Sequence, residues 1–205
     1  MRSIVHACNS GELDACVVGV ISNTASAPGL DFANEQSIPT SIVEHSAFAN
    51  RTEFDQQLQH TIDTYKADWI VLAGFMRILG AELVSAYLGR MVNIHPSLLP
   101  RYPGLNTHAR VLAAGDSTHG ASVHFVTPEL DAGPVIAQSK VTVKPDDTEQ
   151  SLQERVLRTE HKLYVQALQL CVSGAARLLN GECYLGKPGD TTDSAPAVSN
   201  RHQHS

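Results

Sequence analysis

The chain has 205 residues, 42% of them hydrophobic, enough for one domain with a real core. Fifteen basic against 21 acidic residues give a formal charge of −6. With no basic run, it offers no footprint for duplex nucleic acid or an anionic membrane, while a small phosphate-bearing molecule stays open. Apolar stretches reach about five residues, far short of the roughly 18 needed to cross a bilayer, and no charged-then-apolar signal opens the chain, so a cytoplasmic location is expected. Cys8, Cys16, Cys171 and Cys183 form no C-x-x-C pair and read as free thiols.

In chain order, residues 4–8 read as the closing turns of an amphipathic helix stopped by Asn9, Ser10 and Gly11. No strand precedes them, so half of a first βα unit is expected to be missing. Residues 16–21, 69–73 and 91–94 read as buried strands bounded by Gly, Asn or Pro. Between them, Thr52 is the expected N-cap of a helix on which Phe54, Leu58, Ile62 and Tyr65 recur every three or four positions. Residues 81–88 supply a shorter helix. Strands alternating with helices imply an α/β fold, a mostly parallel sheet covered on both faces. After Gly120 the rhythm changes: residues 121–126 and 135–143 are two strands with no helix between them, hence a mixed sheet edge. A long helix is expected over residues 148–179, with Leu152, Val156, Leu163, Ala167 and Leu170 on one stripe. Residues 1–186 form the expected domain, and the Pro-, Ser-, Thr-, Asp- and His-rich residues 187–205 a disordered tail.

The densest polar cluster is Asn93-Ile94-His95-Pro96. The strand period of two puts Asn93 and His95 on one side, and Pro96 ends the strand, so both groups converge at the carboxyl edge of the sheet, where open α/β folds bind ligands. The plainer alternative is a pair that only caps the strand end. Further on, His119 to His124 precedes a loop in which Pro128, Gly133 and Pro134 hold Asp131, and a carboxylate so placed can meet an imidazole and favour its charged form. His95, His108, His119 and His124 lack the spacing of zinc motifs, so no metal is expected. There is no G-x-S-x-G elbow, no P-loop and no glycine-rich phosphate loop. Glu160 falls on the apolar stripe of the long helix, where a carboxylate is unfavourable unless it binds something or pairs with Arg155 or Arg158. Residues 74–79 follow a strand and face the same crevice as Asn93, or else form an ordinary connecting loop.

Four segments carry a family resemblance: Ala73-Gly74-Phe75-Met76-Arg77-Ile78-Leu79; Asn93-Ile94-His95-Pro96-Ser97-Leu98-Leu99-Pro100-Arg101-Tyr102-Pro103-Gly104-Leu105; His119-Gly120-Ala121-Ser122-Val123-His124-Phe125-Val126; and Glu129-Leu130-Asp131-Ala132-Gly133-Pro134. In this order and spacing they resemble the phosphoribosylglycinamide formyltransferase family, from about residue 4 to 186. The resemblance implies a Rossmann-like formyltransferase fold, with 10-formyltetrahydrofolate as donor and glycinamide ribonucleotide as acceptor in purine biosynthesis. Asn93, His95 and Asp131 match its catalytic trio. Arg51, Met76, Arg77, Ile78, Leu79, Asn93, Thr127, Pro128, Glu129, Leu130 and Asp131 match its folate contacts, and Glu160 a contact to the ribonucleotide. The family opens with a strand and a Gly-Ser-Asn phosphate loop, whereas this sequence starts inside the following helix. Leu157 stands where Gln or Lys is usual, and Pro128 where an acid is common. Poor ribonucleotide affinity and reduced stability are therefore expected beside a complete folate half. The alternatives are a formyltetrahydrofolate hydrolase, a formyltransferase acting on an aminoacyl-tRNA or amino sugar, and a folate-binding remnant without turnover.

Overall fold

Helix α1 (Arg2–Ser10) ends where Gly11 takes φ 78°, a left-handed conformation open to glycine, and its N–H donates to the Cys8 carbonyl. That start is taken from a computed structural model, which describes residues 1–187; the expected tail lies, Lys187 apart, outside the described residues. There follow β1 (Val20–Ser22), α2 (Pro28–Glu35), β2 (Thr40–Ile42), a 3-10 turn (His45–Ala47), α3 (Arg51–Tyr65), β3 (Ile70–Leu72), α4 (Ala81–Ala86) and β4 (Met91–His95). Then come α5 (Thr107–Ala114), β5 (Thr118–Phe125), β6 (Val135–Thr142), α6 (Glu149–Val172), β7 (Ala176–Leu179) and β8 (Glu182–Leu185).

β1 runs parallel to β2, and β3 parallel to β4. β5 and β6 then add antiparallel, giving the order β3-β4-β5-β6 and the mixed edge that the sequence implies. The facing edges of β1 and β3 border a common cavity of about 760 Å³ lined by Ile4, Val5, Ile21, Trp69 and Val71. Neighbouring residues of β4 serve opposite sides of the sheet, as the pleat requires. Met91 packs with Phe54, Leu58 and Ile62 of α3 and Leu83 and Val84 of α4. Val92 packs with Val123 and Phe125 of β5, Leu152, Val156 and Leu168 of α6, and Ile4 of α1. Each such side chain, fully buried, contributes about 1.5–3 kcal/mol. The buried Tyr164 hydroxyl of α6 donates toward the carbonyls of Leu72 (2.7 Å) and Val92 (3.2 Å), fastening the helix to β3 and β4. Nearer its end, Gln169 donates to the carbonyl of Glu12 at 2.8 Å, where α1 packs on α6.

Three local expectations are corrected. Asn50, not Thr52, caps α3: its side chain accepts from the Glu53 N–H at 3.0 Å, while Glu53 accepts from the N–H of Ala49. Asn and Thr both cap well, but the acid three residues on favours Asn50. The long helix starts where expected, with Thr148 as its cap, yet stops at Val172. Gly174 (φ 73°) turns the chain, and residues 176–179 pair with β8 instead, a short apolar run that periodicity cannot separate from a continuing helix. Residues 16–19 lie outside β1, which extends only over Val20–Ser22. All four cysteines are free, as expected. Among the described residues no helix is long and apolar enough to cross a membrane.

Candidate active site

β4 carries Asn93 and His95 to its carboxyl end, and the antiparallel β5 sets His124 opposite Asn93. The chain then loops out and returns, closed by a bond from the Phe125 N–H to the Pro134 carbonyl at 3.0 Å. Gly133 is required there, because a Cβ at that position would strike the Phe125 carbonyl. In this loop Asp131 takes φ 52° and points its carboxylate back at the strand end.

Of the trio that the resemblance implies, His95 and Asp131 face each other, and Asn93 reaches them through His124. The Asp131 carboxylate lies 3.5 Å from His95 Nδ1 and 3.8 Å from His124 Nε2, and accepts from the Gly104 N–H at 2.8 Å. His95 donates Nε2–H to the Tyr102 carbonyl at 2.9 Å, since a carbonyl can only accept. That fixes one ring nitrogen and leaves Nδ1 facing the carboxylate. His124 donates Nδ1–H to the Phe125 carbonyl at 2.9 Å, so its Nε2 accepts from the Asn93 amide at 3.2 Å. Burial pushes the His124 pKa down, keeping the ring neutral and able to accept. One Asn93 N–H is thereby occupied and the other is free for a ligand. An amide donor and an imidazole whose Nδ1 has a carboxylate beside it suit a reaction in which negative charge grows on oxygen and a proton moves.

A second group lies beside the carboxyl end of β3. Arg51, at the first turn of α3, donates to the Leu79 carbonyl at 2.6 Å, and Asp55 accepts from the Gly80 N–H at 2.8 Å. These bonds hold the 76–79 segment, on which Met76 (75%) and Ile78 (57%) expose their side chains while Leu79 is buried. Phe75 and Leu79 share an apolar cluster with Val126, so this segment and the 127–131 loop flank one crevice. On that loop Thr127 donates to the Glu129 carbonyl at 3.4 Å and Leu130 is exposed. Glu160 stands apart: no hydrogen bond or ion pair among the described residues joins it to the trio, and Arg155 is engaged with Asp147 instead. Burial pushes the Glu160 pKa up, as its place on the apolar stripe implies. His108 and His119 pair with each other at 3.0 Å, and no group of three potential metal ligands occurs among the described residues.

Sequence reasoning assigned no role to His124, Gly104 or Tyr102. His124 falls within the 119–124 cluster of the sequence, but its partner depends on register. The other two act through backbone atoms, which leave no trace in residue type.

Residues 1–168 match the family described as Formyl transferase. The phosphoribosylglycinamide formyltransferase of Escherichia coli (strain K12) is 45% identical over 185 residues, covering 90% of this chain and 87% of that protein. The trifunctional purine biosynthetic protein adenosine-3 of Bos taurus is 47% identical over 164 residues, covering 80% of this chain but 16% of its own length. Among solved structures, a phosphoribosylglycinamide formyltransferase from Coxiella burnetii superposes with a TM-score of 0.86 at 49% identity, covering 91% of this chain and 88% of that one.

Proposed function

The chain belongs to the formyl transferase family, and from that membership we propose that it moves the formyl group of 10-formyltetrahydrofolate onto the primary amine of glycinamide ribonucleotide. It is a formyltransferase of purine biosynthesis that draws on a folate-derived donor. The observation that carries the finer reading is the convergence of Asn93, His95 and Asp131 at the carboxyl end of β4.

The amine lone pair attacks the formyl carbon, and the carbonyl electrons move onto oxygen. The resulting oxyanion accepts from the free N–H of Asn93 and from Nδ1–H of a protonated His95, whose charge Asp131 balances. The amine nitrogen, now cationic, must lose a proton and the departing folate nitrogen must gain one. His95 Nδ1 serves this exchange directly or through one water, with the Asp131 carboxylate beside the same nitrogen as a further acceptor. Breakdown of the adduct then releases the formylated amine and tetrahydrofolate. Arg51, Met76, Arg77, Ile78, Leu79 and the 127–131 loop hold the folate in this reading. The exposed apolar side chains of Met76, Ile78 and Leu130 offer a flat heterocycle a surface, and the loop backbone offers it hydrogen bonds. Glu160 binds the ribonucleotide from α6.

The test incubates the chain with 10-formyltetrahydrofolate with and without glycinamide ribonucleotide, following tetrahydrofolate and formate. Tetrahydrofolate formed only with the ribonucleotide, without formate, is the expected result. Formate release independent of acceptor would instead make it a hydrolase, and folate binding with no turnover a remnant.

A further inference from the structure

We propose that Gln138, a residue of β6 that touches none of the trio, is a positioning residue for His95. The inference rests on the function proposed above. His95, Ser122 and Gln138 are direct cross-strand neighbours, one on each of β4, β5 and β6, and form a single row across the sheet. What passes along that row is hydrogen bonding to the turn that follows His95.

The turn leaves β4 at His95 and comes back at Tyr102, whose carbonyl accepts the His95 Nε2–H. The ring therefore takes its orientation from wherever the turn puts that carbonyl. Ser122, fully buried, fastens the turn: its hydroxyl donates to the Ser97 carbonyl at 2.6 Å and accepts from the Leu99 N–H at 3.0 Å. Gln138 Nε2 donates to the same hydroxyl at 2.7 Å and to the Leu99 carbonyl at 2.9 Å. A hydroxyl has one proton and two lone pairs, so these contacts fill it. Because the Leu99 N–H and the Gln138 amide can only donate, the Ser122 proton has one direction left, toward Ser97. Both N–H groups of a single amide thus grip the turn, one on its backbone and one on the hydroxyl that pins it. Without that amide the hydroxyl regains a free lone pair and its rotor is released, and the Leu99 carbonyl loses a partner. The error is passed on to Tyr102 and so to the ring. Misplacing a reacting group by a fraction of an ångström lowers the rate far more than it weakens binding.

Two variants test this. Gln138→Met keeps the length of the side chain and removes both donors; Gln138→Glu keeps the shape but puts acceptors against the Leu99 carbonyl and Ser122. In each, kcat is expected to fall about tenfold, with KM for both substrates within about twofold of the parent. Nitrogen NMR of ¹⁵N-labelled imidazoles, taken at a pH where titration shows the ring to be neutral, supplies a readout that needs no turnover: His95 should show Nε2–H in the parent and a mixture with Nδ1–H in the variants. A folded variant with the parent's tautomer and kcat overturns the proposal. A loss confined to thermal stability, with the tautomer unchanged, overturns it as well, leaving Gln138 a structural residue. Absence of formyl transfer in the parent would refute the proposed function instead, while the NMR comparison still decides the role of Gln138.

Discussion

The Asn93 side-chain amide donates to Nε2 of His124 at 3.2 Å, so the orientation of its second N–H is set by a ring that never has to enter the reaction. Asn93→Ala should lower kcat about 10²–10³-fold, the usual effect of losing one oxyanion donor. His124→Leu leaves the donor present but untethered, and a smaller loss of about tenfold is expected. Steady-state kinetics on both variants, with circular dichroism to confirm folding, checks the ordering.

Asp131→Asn separates charge from placement. Its side-chain oxygen can still accept from the Gly104 N–H, so the loop should stay in place and the thermal midpoint should change little. The counter-charge beside His95 Nδ1 is lost, and turnover should fall at least 10²-fold. Retention of more than a third of parental turnover would remove Asp131 from the mechanism.

Stability should depend on pH through the buried His108–His119 pair. Burial, reinforced by the neighbouring imidazole, pushes the His119 pKa down to about 4 from its ordinary 6.5. Between these values the unfolded chain binds the proton and the folded one resists it, so stability rises with pH across that window. This contribution is complete above about pH 6.5, is lost as the pH falls toward 4, and amounts to about 3 kcal/mol at most. Urea midpoints from pH 4 to 8 should follow it, and His119→Gln should flatten the slope, leaving the part due to His108, whose pKa burial also lowers.

Gly133→Ala should displace the loop, because its new methyl group meets the Phe125 carbonyl. Activity should fall with stability, unlike in Asp131→Asn. Tyr164→Phe removes the donor shared by the Leu72 and Val92 carbonyls and should destabilise the chain by about 1–3 kcal/mol, measured by denaturant unfolding.

Much of the site is legible in residue type and spacing. Period two and Pro96 place Asn93 and His95 together at a strand end, and the Gly- and Pro-constrained loop returns Asp131 to them. What residue type alone leaves open is register. The pairing of Asn93 with His124, and of Ser122 with both His95 and Gln138, depends on how β4, β5 and β6 slide against one another. The fold shows the same limit: α6 begins near residue 148 as read, but its end is decided by Gly174 and by a partner strand, β8, that local periodicity does not see. Glu160 is legible as an anomaly on an apolar stripe, while its ligand is not.

The docking of α1 on α6 also sets a timetable. Glu12 and its partner Gln169 are 157 positions apart, and ribosomes add about 5–20 residues per second. For roughly 8–30 s after α1 emerges, Ile4 and Ala7 lack the α6 side chains among which they end up buried. Among the described helices, the apolar face of α1 is thus completed by α6, the helix farthest from it along the chain.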